Sequence, residues 1–257
     1  MTGTTDYQGL HRLDARIALI TAGGAGFGRA TAHALSQAGA AVMVTDIDLE
    51  AAEQVAADID RGQAFPLDVA DEAAVDFVVG EVISRHGRID ILVNNAGVGA
   101  REATVDLDTE QWQRVMDLGP AGSFYCARAV GRHMLKAERG AVVNVASIMG
   151  MVGGAHYPNL AYHSAKGAII NMTRALACEW APKGIRVNAV APTFARTQLT
   201  STLMADNAIV QQLLDATPMG RFVESEEVAA AIAFLASDAA SMITGAILPV
   251  DGGWIAR

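Results

Sequence analysis

The stretch RIALITAGGAGFGRATAHAL, residues 16–35, decides the fold of this chain. It begins with a short apolar segment, passes through a glycine-rich turn and ends in a segment of helical period. A buried strand that runs directly into such a turn and a helix is typical of the first unit of an α/β fold. The rest of the chain must supply the partner strands for this unit.

Six more short apolar segments rich in Val and Ile follow, at residues 40–46, 63–68, 90–97, 140–147, 184–192 and 245–251. Segments of helical period lie between them, without a linker, a repeat or a low-complexity tract. This alternation predicts one Rossmann-type domain over residues 1–257, a doubly wound parallel sheet of about seven strands. Residues 193–224 break the rhythm with two short helical pieces, and we interpret them as a substrate lid.

Composition excludes several classes of function. The net charge of −9 gives no electrostatic basis for binding nucleic acid or an anionic membrane surface. No export signal or bilayer-spanning apolar run is present, and Cys126 and Cys178 are predicted to be buried free thiols, so we expect a cytoplasmic protein. Histidines and carboxylates show no metal-ligand spacing, so a catalytic metal is not expected.

The glycine-rich turn predicts a dinucleotide site. Gly23, Gly26, Phe27 and Gly28 would let the backbone approach a pyrophosphate, and the free N–H groups at the helix start would bind it. The spacing departs from G-x-G-x-x-G because Thr31 takes the place of a third glycine, so an ordinary tight turn stays possible.

The second apolar segment ends in Asp46, eighteen residues after Gly28. A carboxylate there can accept hydrogen bonds from both ribose hydroxyls of an adenosine and would repel a 2′-phosphate. No Arg or Lys occurs at residues 44–48 to bind that phosphate. Asp46 therefore predicts NAD rather than NADP, although a solvated loop carboxylate is the simpler alternative.

Residues 147–168 contain two tyrosines, and spacing distinguishes them. Tyr162 and Lys166 are four residues apart in a helical segment, which makes their side chains neighbours, whereas Tyr157 has Ala161 at that offset. Lowering the pKa of a phenol from about 10 to near 7 takes roughly 4 kcal/mol, about what a cation 4 Å away supplies at intermediate dielectric. With Ser147 orienting the reacting oxygen, Tyr162 and Lys166 predict acid–base chemistry on an alcohol.

Taken singly, these residues allow simpler interpretations. A tyrosine and a lysine four residues apart are helix surface in most proteins, and a serine at a strand end often caps a turn. We therefore base the catalytic assignment on Ser147, Tyr162 and Lys166 together with the glycine-rich turn.

The order of these motifs resembles that of the short-chain dehydrogenase/reductase family over essentially the whole chain. The glycine-rich turn matches the family's T-G-x-x-x-G-x-G with Ala22 at the first glycine, residues 94–97 read N-N-A-G, and residues 147–166 match S…Y-x-x-x-K. The resemblance implies that Asn94 braces the sheet. It also implies cofactor contacts from Asp68, Val69, Asn95, Ala96, Gly97, Tyr162, Lys166, Pro192, Ala195 and Thr197.

One residue departs from the family pattern. Gly119 stands where the family commonly has an asparagine that bends a helix and holds a water near the lysine. Pro120 has no N–H and should itself disturb the helix. We expect carbonyls freed by this kink to hold the water; the alternative is an NAD-binding regulator without turnover.

The spacing of the motifs is similar to that of family members that oxidise polyols and sugar acids. The resemblance implies an NAD-dependent oxidoreductase acting on a small secondary alcohol and assembled as a homotetramer. The expected substrate contacts are Ser147, His156, Tyr157, Asn159 and Tyr162, with an apolar wall formed by Met149, Met151 and Met204. A small-ketone carbonyl reductase and a 3-oxoacyl-carrier-protein reductase are the alternatives.

Overall fold

The computed structural model describes residues 6–154 and 157–256. Seven strands form one sheet in the order β3-β2-β1-β4-β5-β6-β7, and every pairing is parallel. The strands are β1 Ile17–Thr21, β2 Ala41–Asp46, β3 Gly62–Pro66, β4 Ile91–Asn94, β5 Gly140–Val145, β6 Ile185–Pro192 and β7 Ile247–Val250. The prediction of a doubly wound parallel sheet is confirmed.

Helices cover both faces of this sheet. They are α1 Gly26–Gln37, α2 Leu49–Ala57, α3 Glu72–His86, α4 Thr109–Met116, α5 Gly122–Ala137, α6 Leu160–Trp180, α7 Ser201–Met204, α8 Asn207–Ala216 and α9 Ser225–Ala236. On one face α1, α2 and α9 pack on alternate strand residues, including Ile20 and Val44. On the other face α3, α5 and the end of α6 pack on residues including Leu19 and Met43. The central strands are apolar throughout because both of their faces are buried.

The order of the strands places a crevice at one edge of the sheet. The chain proceeds from β1 outward to β2 and β3, then crosses back and proceeds from β4 in the opposite direction. Helices that leave the carboxyl ends of β1 and β4 therefore diverge, which opens a ligand-binding crevice between them. The glycine-rich turn and the residues of N-N-A-G both lie at this edge.

The helix before β5 is interrupted, as Gly119 and Pro120 predict. Residues Asp117–Ala121 form a π-helical turn between α4 and α5. Such turns arise where the regular hydrogen-bond ladder cannot continue, and Pro120 has no N–H to donate. Gly119 is buried there, 3.5 Å from the Cβ of Ala165 on α6 as measured from an ideally placed Cβ.

The segment 193–224 contains the two short helices that the sequence predicts, α7 and α8. They form a small apolar cluster with Phe194 and Trp254, whose ring centroids lie 5.4 Å apart. No helix within the described ranges is long and apolar enough to cross a membrane. The prediction of two buried thiols is half wrong, because Cys126 is buried but Cys178 lies exposed on the outer side of α6.

Candidate active site

Three predicted catalytic side chains meet at the carboxyl end of β5. Ser147 directly follows that strand, and Tyr162 and Lys166 lie in the first two turns of α6. The Nζ of Lys166 is 5.6 Å from the centroid of the Tyr162 ring and donates a 2.7 Å hydrogen bond to the carbonyl of Val145. All three side chains line one cleft of about 420 Å³.

Burial shifts both titratable groups toward their neutral forms. It raises the pKa of Tyr162 to about 12, against a smaller lowering by the hydrogen bond from Ser147. It lowers the pKa of Lys166 to about 8, since the residue is 5% exposed. The pair can therefore lose a proton as the pH rises through about 8, but this proton comes from Lys166. The phenol pKa of about 7 that the sequence predicts is not found, because burial outweighs the groups that lower the pKa of Tyr162.

Ser147 is held in a defined orientation. Its Oγ accepts a 3.1 Å hydrogen bond from the N–H of Met149, at the start of a short 3₁₀ turn after β5. Because the hydroxyl also hydrogen-bonds Tyr162, it lies at the reacting group rather than in solvent. Ser147 thus has both of the roles considered for it: it caps the turn after β5, and it contacts the tyrosine of the site.

At the opposite end of the cleft lie the glycine-rich turn and Asp46. One carboxylate oxygen of Asp46 accepts a 2.9 Å hydrogen bond from the N–H of Gly24, and the other accepts from the N–H of Asp48 at 3.1 Å. The first turn of α1 has no side-chain cap, because its N-cap residue is Ala25. Its N–H groups are therefore available to a pyrophosphate, and this end of the cleft fits a dinucleotide.

The two asparagines of N-N-A-G brace the site from behind. The Nδ2 of Asn95 donates to the carbonyls of Ala22 at 2.9 Å and Thr21 at 3.2 Å, which ties β4 to the glycine-rich turn. Asn94 is buried, and its Nδ2 donates to the Oδ1 of Asn144 on β5 at 2.9 Å. Asn94 therefore braces the sheet, as the resemblance implies.

The predicted cofactor residues separate into two groups. Those in the wall of the cleft are Gly26, Phe27, Asp46, Asn95, Gly97, Tyr162, Lys166, Pro192 and Thr197. Ala195 lines a smaller adjoining cavity. Gly24 also lines the cleft, although the sequence did not single it out.

The remaining predicted cofactor residues are not among the described residues that line the cleft, and their contact with a cofactor stays a prediction. Gly28 is packed so closely that an added Cβ would come 2.1 Å from the carbonyl oxygen of Ala22. Gly23 donates from its N–H to the carbonyl of Thr45 at 2.9 Å, and Ala96 donates likewise to the Oγ1 of Thr21 at 3.2 Å.

Asp68 and Val69 are also not among the described residues that line the cleft. The Oδ1 of Asp68 accepts from the N–H of Ala70 at 2.9 Å, and Val69 packs against Gly122 on α5. Contact of these two residues with an adenine stays a prediction.

The adjoining cavity, about 60 Å³, opens beside Ser147 and Tyr162. Tyr157 and Asn159 line it, as the sequence predicts for substrate residues, whereas His156 lies outside the described residues. Of the three predicted methionines, Met149 lines the cavity, Met204 is partly buried in the cluster with Phe194, and Met151 is exposed at 37%.

Sequence reasoning missed Arg101, which also lines this cavity. The available signal was an isolated cation four residues after N-N-A-G, at the carboxyl end of β4. Polar residues just beyond the strands of such a sheet commonly belong to its ligand site.

Comparisons with known proteins agree with this geometry. A family model described as enoyl-(acyl carrier protein) reductase matches residues 21–255. A galactitol 2-dehydrogenase of Rhizobium johnstonii is 42% identical over 252 residues, which are 96% of this chain and 98% of that protein. An NAD-dependent glycerol dehydrogenase of Listeria innocua is 40% identical over 241 residues, 93% of each chain. The solved structure of a gluconate 5-dehydrogenase from Burkholderia cenocepacia, in complex with NADP and tartrate, superposes with a TM-score of 0.92 at 35% identity and covers 96% of this chain and 98% of its own.

The fold and the site define an oxidoreductase that acts on the CH–OH group of a small molecule with a nicotinamide cofactor. The chain belongs to the short-chain dehydrogenase/reductase family.

Proposed function

We propose that the protein is an NAD-dependent dehydrogenase that interconverts a secondary alcohol of a small polyol, sugar acid or similar hydroxy compound and the corresponding ketone. The observation that carries this proposal is the meeting of Ser147, Tyr162 and Lys166 at one end of a cleft whose other end holds Asp46. A dinucleotide that spans the cleft would bring its nicotinamide to the reacting groups.

The bound nicotinamide supplies the hydride acceptor in oxidation and the donor in reduction. Ser147 orients the substrate oxygen, and the phenol oxygen of Tyr162 takes the hydroxyl proton when the alcohol is oxidised. Lys166, held on the carbonyl of Val145, stabilises the tyrosinate with its positive charge. In reduction the phenol of Tyr162 returns the proton to the substrate oxygen.

Asp46 and Asp48 support the choice of NAD. Both carboxylates line the adenosine end of the cleft, and the cationic residue among the described lining residues, Lys166, lies at the reacting end. A 2′-phosphate would therefore meet negative charge there, and we expect Asp46, at the end of β2, to contribute most of the repulsion. The Listeria innocua relative carries NAD in its name, whereas the Burkholderia cenocepacia structure holds NADP, so charge at the end of β2 is the feature to test.

The substrate class rests on the cavity and on the relatives. The described relatives are named for galactitol and glycerol, and the solved neighbour for gluconate. The cavity of about 60 Å³ has a largely apolar lining that includes Ile148 and Phe194, with a few polar groups such as Asn159, and it supports a small molecule with few polar contacts. The cavity gives less support to a carrier-protein reductase, whose substrate carries a long acyl chain. The other alternative, reduction of a small ketone, is the reverse of the proposed reaction.

The kink at Gly119 is proposed to support proton exchange between Lys166 and solvent. Residues Asp117–Ala121 leave the regular ladder next to α6, and a water bound by carbonyls of this turn would replace the family's asparagine side chain. With this water in place, Lys166 could still exchange protons with solvent, so we propose an active enzyme rather than a regulator without turnover.

Residues 193–224 are proposed to act as a lid. Thr197 and Leu199 line the cofactor cleft, and Leu199 and Thr200 also line the substrate cavity, so movement of α7 and α8 would open or close both. A cytoplasmic homotetramer is proposed by analogy with the family; because Trp254 packs within its own chain, gel filtration is the appropriate test of assembly.

The central experiment is an oxidation assay. The purified protein with NAD and a panel of polyols, sugar acids and hydroxy acids should produce absorbance at the NADH band. Tyr162→Phe should abolish turnover, because the ring remains but the proton acceptor is gone, while the affinity for NADH changes less than about 3-fold.

Tyr125→Phe is the matched control, since Tyr125 lies beside Arg128 on α5 and does not line the cleft or the adjoining cavity. It should retain full activity. Tight NADH binding with every panel member silent would favour a regulator and refute the proposed dehydrogenase.

A further inference from the structure

Arg101 links three parts of the site. It follows β4 in the loop beyond N-N-A-G and lines the substrate cavity together with Ser147 and Tyr162. Its Nη1 donates to the Oγ1 of Thr202 on α7 at 2.6 Å, and its Nη2 donates to the carbonyl of Leu199 at 2.7 Å. The guanidinium therefore lies between the lid and the reacting groups.

The positive charge of Arg101 lacks a carboxylate partner within the described residues. The described ion pairs use other residues, such as Arg221 with Glu227. Arg101 instead contacts a hydroxyl and a carbonyl of the lid and Tyr157, whose ring lies 5.7 Å away and whose phenol it hydrogen-bonds. Its charge also reaches the reacting phenol: burial raises the pKa of Tyr162, and Arg101 is among the groups that oppose this rise. A cation in a partly enclosed cavity without a counter-ion favours an anionic ligand.

A second side chain in the same cavity, that of Asn159, hydrogen-bonds Tyr157 but keeps one atom unpaired among the described residues. The Oδ1 of Asn159 is buried without a hydrogen-bond donor among the described residues, and the whole residue is 6% exposed. Asn159 is the N-cap residue of α6, two residues before Ala161 and three before Tyr162, and its side chain lines the cavity. A buried carbonyl oxygen without a donor is costly, so a ligand hydroxyl at this place would satisfy it.

The two groups are chemically complementary to one kind of molecule. The fork of a guanidinium matches the two oxygens of a carboxylate, and an amide oxygen accepts from a hydroxyl. Arg101 is the one cationic residue among the described residues that line this cavity, and a single positive charge favours a singly charged carboxylate over a doubly charged phosphate.

We infer that Arg101 and Asn159 form a recognition site for a short hydroxy acid, with Arg101 binding the carboxylate and Asn159 accepting a hydrogen bond from a hydroxyl of the same molecule. The inference rests on the proposed dehydrogenase function and narrows its substrate to hydroxy acids over neutral polyols. Since Arg101 also contacts Thr202, a bound carboxylate would be joined to α7 through one side chain.

The experiment compares two four-carbon probes, threonate and threitol, which differ by a carboxylate in place of a hydroxymethyl group. The wild-type enzyme should show a lower KM for threonate. Arg101→Met should raise the KM for threonate about 10- to 100-fold, the range expected for loss of a charge-assisted hydrogen bond, and that for threitol less than about 3-fold. Arg101→Lys should recover part of the loss, because it restores the charge without the fork.

Thr202→Val is the matched control, because it removes the contact to the lid and leaves the guanidinium. It should change the two KM values by the same factor. If Arg101→Met also changes both by the same factor, or if the wild-type enzyme prefers threitol, Arg101 only holds the lid and the inference is wrong.

A binding measurement separates this inference from the proposed function. Succinate, which has no hydroxyl to oxidise, should raise the melting temperature of the wild-type complex with NADH and should not raise that of Arg101→Met. Equal shifts in both proteins, or none in either, would overturn the carboxylate site whether or not the enzyme turns over. If no compound of the substrate panel is oxidised but succinate still stabilises the wild-type protein and not Arg101→Met, only the dehydrogenase function is refuted.

Discussion

The two ends of the cleft are built in different ways. At the dinucleotide end the groups that face the ligand are mainly backbone, supplied by the turn after β1 and braced by Asp46 and Asn95. At the reacting end they are side chains, brought together from α6, from the turn after β5 and from the loop after β4, where Arg101 lies. The ligand-facing backbone of the first end comes from one short stretch of sequence, whereas the side chains of the second end are assembled from distant segments.

This difference determines which residues can change the selectivity of each end for its ligand. Backbone N–H groups at a helix start bind any pyrophosphate, so we propose that the selectivity between NAD and NADP rests on one side chain, Asp46. At the reacting end, Tyr162 and Lys166 match the family motif. We propose that substrate selectivity lies in the neighbouring Tyr157, Asn159 and Arg101, which line the adjoining cavity. Substitutions at the two ends should therefore affect different measurements.

The largest effect is expected at the reacting end, from Lys166→Met. Loss of the cation removes roughly 4 kcal/mol of support for the tyrosinate, so kcat for oxidation should fall about 1000-fold. Lys183→Met is the control, because Lys183 is exposed and pairs with Glu138 at 2.8 Å. Steady-state kinetics that leave more than a tenth of the activity would contradict the role of Lys166.

The pH profile tests the same pair. Because burial lowers the pKa of Lys166 to about 8, the pair gives up a proton as the pH rises through that value. Oxidation, which needs the base, should accelerate up to about pH 8 and level off above it, while ketone reduction should slow over the same interval. In Lys166→Met the rise should continue to higher pH, since burial raises the pKa of Tyr162 to about 12. Profiles that coincide for the two enzymes would argue against this assignment.

The next effect is expected at the dinucleotide end, from Asp46→Asn. The amide keeps an acceptor for the N–H of Gly24 but removes the charge, so the preference for NAD over NADP should fall about 10- to 100-fold. Asp48→Asn is the matched control. Asp48 caps α2 by accepting a hydrogen bond from the N–H of Ala51, and an asparagine side chain can accept the same bond. It should change the preference less than about 3-fold, and a larger change than in Asp46→Asn would move the selectivity to Asp48. Ratios of kcat/KM for the two cofactors provide the measurement.

A smaller effect is expected at the kink. Gly119→Asn would restore the family residue, and the nearest atom to an added Cβ, the Cβ of Ala165, lies at an ordinary contact distance of 3.5 Å. If backbone carbonyls already hold the relay water, kcat should change less than about 3-fold. Gly119→Ala separates the effect of the Cβ from that of the amide. An increase above 10-fold in Gly119→Asn alone would show that the native relay is incomplete.

The smallest effect is expected from Ala22→Gly. Ala22 has φ +49°, a left-handed conformation that costs an alanine about 1–2 kcal/mol. Glycine removes that strain but loses about 0.5–1 kcal/mol through the entropy of the unfolded chain, so the free energy of unfolding should rise by about 0.5–1 kcal/mol. Ala15→Gly is the control for the effect of a left-handed backbone alone, since Ala15 has φ +60° in an exposed turn away from the cleft. Urea unfolding measures both, and a loss of stability in Ala22→Gly would contradict the strain.

The amino-acid sequence by itself determined the sheet, the glycine-rich turn and the Tyr162–Lys166 pair, because each depends on short-range periodicity and spacing. It also indicated the helix break at Gly119 and Pro120, since a missing N–H acts locally. Only the tertiary structure decided that Gly28 packs against the carbonyl of Ala22, that Cys178 is exposed and that Arg101 and Asn159 share a cavity. These facts depend on which distant segments meet at the carboxyl edge of the sheet, and such meetings are set by packing across the whole fold rather than by the spacing of neighbouring residues.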